Sequence, residues 1–311
     1  MKTLLITIGI LVITAISFHF VSDHYRYDFY NWAIHFEESK ANLADKKIEV
    51  NGQTISYLEN PYIKGQVTII MLHGFGASKE NWLRFSVPFA KNYHVVAVDL
   101  LGHGENKRDL NQSYRIENQV EFVNQFAKKL NIDRFHIVGN SMGGAIAAMY
   151  ASVYPQKIMS VVLVSPAGIH DIPSKMDELL KTGVNPLIAT SVESFDALLN
   201  FVMEDRPYIP SAIVKVEAEK AVSRKEINAK IFSDLTGELK TGLEQNLKQI
   251  QAPVLIIWGD HDRAINVKNI DKYASLIPNA KKLVLKNIGH LAMIEVPDVT
   301  AKAMLDFMPK G

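Results

Sequence analysis

The 311-residue sequence contains no cysteine. That absence excludes disulfide staples, a thiolate nucleophile and cysteine-based metal ligation together, and it is compatible with an oxidising compartment. Charge of one sign is also missing. The 34 Lys and Arg against 33 Asp and Glu leave a formal net charge of +1 without a long run of like charge, so no electrostatic footprint for nucleic acid is present. There is no Gly-x-x-x-x-Gly-Lys-Ser/Thr phosphate loop, no closely spaced set of metal ligands, no internal repeat and no low-complexity linker. Neither a metal, a nucleotide nor an organic cofactor is expected. With 48% hydrophobic and 22% charged residues, the chain has a globular composition and the length for one α/β domain carrying an insertion, or for two small domains.

Residues 3–22 carry no Asp, Glu, Lys or Arg and would span about 30 Å as a helix, the thickness of a bilayer core. Two readings of residues 1–24 stay open: an uncleaved membrane anchor, which is favoured because the apolar run continues through Phe18, Phe20 and Val21, and a secretory signal cleaved after Ser17. The positive-inside rule places the rest of the chain outside the cytoplasm, as a membrane-attached domain or, after cleavage, as a secreted one. Residues 25–42 mix aromatics with charges and suit a short amphipathic helix, either on the membrane surface or packed as an arm against the domain.

Beyond it, Asn51-Gly52 between two alternating runs predicts a β-hairpin. Apolar strand-like runs at 66–72, 93–100, 135–138 and 159–164 then alternate with helical stretches, one of them over 79–90 with Ser78 as cap. This rhythm implies a mostly parallel sheet covered on both faces. It breaks over 169–250, where helical segments succeed one another as an inserted cap. It resumes with strands at 254–258 and 282–285, a helix at 266–276 and a final helix at 294–307. The core, 25–168 with 251–311, is therefore one discontinuous unit.

The most informative motif is Gly139-Asn140-Ser141-Met142-Gly143, set between a strand and a small-residue helix. In that context it predicts a nucleophile elbow, with the Ser141 hydroxyl exposed at a helix N-terminus whose free N–H groups can stabilise an oxyanion. A serine hydroxyl needs a base, and the base an orienting carboxylate. Two late strands supply candidates: one runs into Gly259-Asp260-His261-Asp262, the other into Asn287-Ile288-Gly289-His290. His290 is the expected base. Asp262 is favoured over Asp260 as the acid, because it lies further into the loop and can turn back under the histidine. His261, His73 and His103 read as loop residues. The backbone N–H groups of Met142 and of Phe75, in His73-Gly74-Phe75-Gly76, are the expected oxyanion donors.

These motifs, with Asp99-Leu100-Leu101-Gly102-His103-Gly104 and Val164-Ser165-Pro166-Ala167-Gly168, resemble the α/β-hydrolase superfamily over residues 47–308. Within it the chain is similar to membrane-anchored monoacylglycerol lipases and related bacterial lipases. The resemblance implies an α/β-hydrolase fold and a serine esterase of fatty-acyl glycerol esters. It also implies Ser141, Asp262 and His290 as the triad, with Phe75 and Met142 as oxyanion donors. Leu179, Leu187, Phe195, Leu199 and Met203 in the cap are candidate acyl-chain contacts, although only a minority of the cap's apolar residues is expected to line a pocket. Two alternatives carry weight. A carbon–carbon bond hydrolase of ring-cleavage products shares the Asn-Ser-Met-Gly elbow, but Leu291 after the histidine and the Gly74-Phe75-Gly76 loop speak against it. The other is a ligand-binding receptor of the same fold, with little turnover.

Overall fold

The computed structural model describes residues 25–238 and 243–309. The segment read as anchor or signal, 1–24, lies outside these residues. Among them no helix is long and apolar enough to cross a membrane.

The described chain begins with helix α1 (Arg26–Ala41) and a hairpin of β1 (Ala44–Val50) and β2 (Gln53–Glu59). Asn51 and Gly52 both take positive φ, 50° and 76°, as the right-handed twist of a two-residue hairpin demands. Strands and helices then alternate: β3 (Thr68–Leu72), α2 (Leu83–Ser86), β4 (His94–Val98), α3 (Ile116–Lys129), β5 (Phe135–Asn140), α4 (Met142–Val153) and β6 (Ile158–Val164). Between β6 and β7 the described residues form α5 (Lys175–Lys181), α6 (Val192–Val202), α7 (Ser211–Ser223), α8 (Lys225–Glu238) and α9 (Leu243–Leu247). The alternation then returns with β7 (Val254–Gly259), α10 (Asn269–Leu276), β8 (Ala280–Leu285), α11 (Ala292–Glu295) and α12 (Pro297–Phe307).

The eight strands form one sheet in the order β1-β2-β4-β3-β5-β6-β7-β8, antiparallel through β1, β2 and β4 and parallel from β4 to β8. β3, β4, β5 and β7 are buried along their whole length, which explains their continuous apolar runs. Alternate residues feed opposite faces. Ile70, Leu72, Val96 and Val98 join the core against α3 and α4, while Ile69, Met71, Val95 and Ala97 join the core against α2, α11 and α12. Gly143 lets α4 press against the strand layer, since a Cβ there would lie 2.2 Å from the Leu72 carbonyl oxygen.

Three expected helices differ. The stretch 79–90 forms a 3-10 turn over Lys79–Trp82 and then the short α2, without a capping bond from the Ser78 side chain to a backbone N–H. Pro88 has no N–H with which to continue it. The final helix breaks at Val296, and Pro297 starts a new one at the position where proline's missing N–H costs nothing. Helix α1 is not sorted into one apolar and one polar face. Tyr30 is buried under Lys220 of α7, whose ammonium sits 3.8 Å from the ring centroid, and Arg26 meets Glu219 at 3.0 Å, whereas Trp32 and Phe36 are exposed. Arg84, at the start of α2, clasps Glu37 through two nitrogens at 3.1 and 2.9 Å. α1 thus bridges the sheet domain and the helices inserted after β6.

Candidate active site

β5 delivers its chain directly to Ser141, which caps α4 with φ 54° and ψ −117°, a conformation a non-glycine residue adopts only under constraint. The constraint is visible. The Ser141 N–H donates to the Val164 carbonyl at 3.0 Å, and the Ser141 carbonyl accepts from Ala167 at 3.0 Å and from Ala145 at 3.1 Å. The next residue, Met142, opens α4, where N–H groups lack intrahelical acceptors. The loop carrying Phe75 passes against Ser141: a Cβ added to Gly74 would stand 3.3 Å from Ser141 Cβ and 2.9 Å from Asn140 Oδ1.

The loops after β7 and β8 bring Asp262 and His290 together. Asp262 Oδ2 accepts from His290 Nδ1 at 2.7 Å, and both side chains are buried. A carboxylate at Nδ1 holds the ring proton there and leaves Nε2 as the proton acceptor. Every acceptor direction of Asp262 is engaged. Oδ2 also takes the Trp258 indole N–H at 2.9 Å, and Oδ1 takes the Ala264 and Ile265 N–H groups at 2.8 and 2.9 Å. Asp260 points elsewhere, accepting the Asn287 N–H at 2.7 Å beside Lys286 at 3.3 Å. Desolvation alone would raise its carboxyl pKa, but these partners outweigh that and hold it below the ordinary value. The half-exposed His261 pairs with Glu204 at 3.2 Å.

His73 and His103 shape loops. His73 Nδ1 donates to the Gly74 carbonyl at 2.8 Å while Nε2 accepts the Leu100 N–H at 3.0 Å, and His103 Nδ1 donates to the Leu101 carbonyl at 2.9 Å. Burial pushes His103 down to about 4 and His73 well below its usual range, so both rings are neutral spacers near pH 7.

Ser141 and His290 open into one cavity of about 500 Å³. Of the expected contacts, Leu187, Phe195, Leu199 and Met203 line it, joined by Leu198 and Val202. Leu179 is not among the lining residues. The start of α5 and the chain before it are tied to the segment after β7, with Ile172 N–H on Asn269 Oδ1 at the start of α10 and Met176 N–H on the Arg263 carbonyl, both at 3.0 Å, and this holds α5 to that flank. The opposite wall was not foreseen. It comes from α1, through Phe29, Tyr30, Trp32, Ala33 and Phe36. Also missed were Asn140, whose amide donates to the Val164 and His290 carbonyls at 3.1 and 3.2 Å, and Trp258, whose place four residues before Asp262 was the available signal.

A family model described as the alpha/beta hydrolase fold matches residues 67–187 and 192–297. The chain belongs to the α/β-hydrolase fold family. Within that family it is 32% identical to Lipase 1 of Psychrobacter immobilis over 86% of this chain and 85% of that protein. It is 34% identical to the human monoacylglycerol lipase ABHD6 over 78% of this chain and 75% of that protein. Among solved α/β-hydrolase structures, a membrane phospholipase A described as a bacterial virulence factor superposes with a TM-score of 0.89 at 35% identity, covering 99% of this chain and 98% of that one.

Proposed function

We propose that the chain is a serine hydrolase of carboxylic esters, with fatty-acyl glycerol esters of the monoacylglycerol or lipase type as substrates. The observation that carries this reading is the buried Asp262–His290 pair, 2.7 Å apart, whose His290 opens with Ser141 into an apolar cavity. The lipase names of its relatives support it.

Ser141 Oγ attacks the ester carbonyl carbon as His290 Nε2 takes the hydroxyl proton. The carbonyl oxygen becomes an oxyanion, held by the N–H groups of Phe75 and Met142. Collapse breaks the bond to the alkoxy oxygen, which leaves as the alcohol with the proton from Nε2. His290 then deprotonates a water that attacks the acyl-enzyme, and Ser141 recovers its proton as the acid departs. Asp262 keeps the ring oriented and stabilises its cationic form. Residues 169–250 act as the cap over a core of 25–168 and 251–311, and α6 seats the acyl chain through Phe195, Leu198, Leu199 and Val202.

Placement at a membrane belongs to the same proposal. The rings of Phe29, Trp32 and Phe36 stack at 5.8 and 5.7 Å along α1, beside the cavity and directly after the apolar segment 1–24. Such an aromatic ridge suits the headgroup zone, with the catalytic domain outside the cytoplasm. Retention of the full-length protein on membranes through an alkaline carbonate wash tests this placement; release at a mass lacking the first residues establishes a cleaved signal instead.

The activity is tested with a fluorophosphonate probe and p-nitrophenyl esters of two to eighteen carbons, together with monoacylglycerols. Labelling and turnover that both vanish in Ser141→Ala are expected. Labelling without turnover points to the binding protein of the same fold, and faster cleavage of a ring-cleavage dienoate than of any ester points to the carbon–carbon hydrolase.

A further inference from the structure

Glu295 closes α11, and its carboxylate is buried where the loop of His290 meets the end of α6. Its Oε1 accepts from the Gly289 and Leu291 N–H groups at 3.1 and 3.3 Å. Its Oε2 accepts from Gly289 at 3.1 Å and from Glu204 and Asp205 at 2.8 Å each. Between these contacts the His290 N–H donates to the Val202 carbonyl, the last residue of α6, at 2.8 Å. The peptide groups before, at and after His290 are therefore all committed to one junction. The junction is tight, since a Cβ on Gly289 would meet Glu204 N and Val202 O at 2.8 Å and Glu295 Oε1 at 3.0 Å.

The chemistry of the junction selects a carboxylate. All its partners are N–H donors, and a carboxylate offers only acceptors, whereas an amide would turn its own N–H groups against one of them. Neither residue 204 nor 205 belongs to the loop of the base. Both follow α6, whose Phe195, Leu198, Leu199 and Val202 form a cavity wall, so one side chain fixes the base and that wall in a single frame.

We infer that Glu295 is a positioning residue for His290, locking the imidazole's loop to the wall that receives the acyl chain. This inference rests on His290 as the general base. A carboxylate that only held the fold would lower stability without acting through the imidazole. One that positions the imidazole lowers the rate of the chemical step and has nothing left to act on once the imidazole is gone.

The test is a double-mutant cycle in the full-length protein with p-nitrophenyl butyrate. Glu295→Gln should lower kcat by about ten- to a hundredfold, the scale of a small displacement of a reacting group, with KM held within about twofold. In a His290→Ala background the same change should cost nothing further. Unchanged kcat in Glu295→Gln with His290→Ala inactive overturns the inference alone, and so does an equal loss in both backgrounds. An active His290→Ala overturns the reading of the base together with it. Should Glu295→Gln fail to fold by circular dichroism, Gly289→Ala decides the matter from the other side: it keeps the charge, wedges the loop from α6, and should lower kcat with KM retained, whereas an unchanged kcat refutes the coupling.

Discussion

Replacing Asp262 by Asn separates the two acid candidates and probes the wiring of the site. The carboxylate is surrounded by four donors: His290 Nδ1–H, the Trp258 indole and the Ala264 and Ile265 N–H groups. An amide has one acceptor oxygen and one NH2. If the oxygen keeps Ala264 and Ile265, the NH2 faces His290, which must then accept at Nδ1 and carry its proton on Nε2. In that tautomer it cannot take the Ser141 proton. The expected loss in kcat is about three to four orders of magnitude, or roughly 4 to 5.5 kcal/mol of transition-state stabilisation. If the amide flips, its NH2 opposes two backbone N–H groups and the loop after β7 is displaced instead. Asp260→Asn removes an acceptor for a single surface N–H beside the exposed Lys286, so its kcat should stay within a fewfold of wild type. Steady-state hydrolysis of a soluble short-chain ester, with melting curves to confirm the fold, measures both. An Asp260→Asn enzyme slower than Asp262→Asn would refute the assignment, and so would an Asp262→Asn enzyme retaining a tenth of the activity.

The positive φ of Ser141 predicts that Ser141→Gly is inactive yet more stable than Ser141→Ala, by about 1 kcal/mol, because only glycine takes that conformation without strain; chemical denaturation of the two variants gives the comparison. The pH dependence of stability should reflect His136, buried and pushed down to about 4 by desolvation. Its folded pKa lies below its unfolded value near 6.5, so its contribution is complete above about 6.5 and is lost as pH falls towards 4. His103 acts in the same sense, whereas Asp99, raised to about 6 by burial and by Glu80, opposes it by gaining a proton in the folded state first. Between pH 7 and 4.5, His136→Gln should therefore lose about 2 to 3 kcal/mol less than wild type, measured by urea melts; equal acid slopes would contradict this. Finally, a chain starting at Tyr25 retains α1 and should hydrolyse dispersed short esters at near full rate. One starting at Leu43 loses a cavity wall and should lose discrimination among acyl lengths in the ester panel.

The nucleophile elbow, the hairpin, the strand–helix rhythm and the strand-end loops holding Asp262 and His290 were legible in the sequence, because each is a local pattern of spacing, turn residues and burial within a dozen positions. The resemblance to the α/β-hydrolase superfamily rested on the motifs at those positions, and the match of the family model shows the membership. The partner of His290 was legible only as a preference, and the geometry that separates Asp262 from Asp260 depends on how the loop after β7 turns beneath the one after β8. What tertiary structure alone decided lies in contacts between distant segments. Asn140 reaches His290 across 150 positions, Glu295 reaches Glu204 across 91, and Arg26 reaches Glu219 across 193. No local periodicity encodes such pairs: an Asn in an elbow, a Glu after a histidine loop and an aromatic helix before the domain look the same whether they face water or each other. Only the assembled sheet brings α1, α6 and the loops carrying Phe75 and His290 around a common cavity, which is why its walls and the junction behind His290 were invisible until the chain was folded.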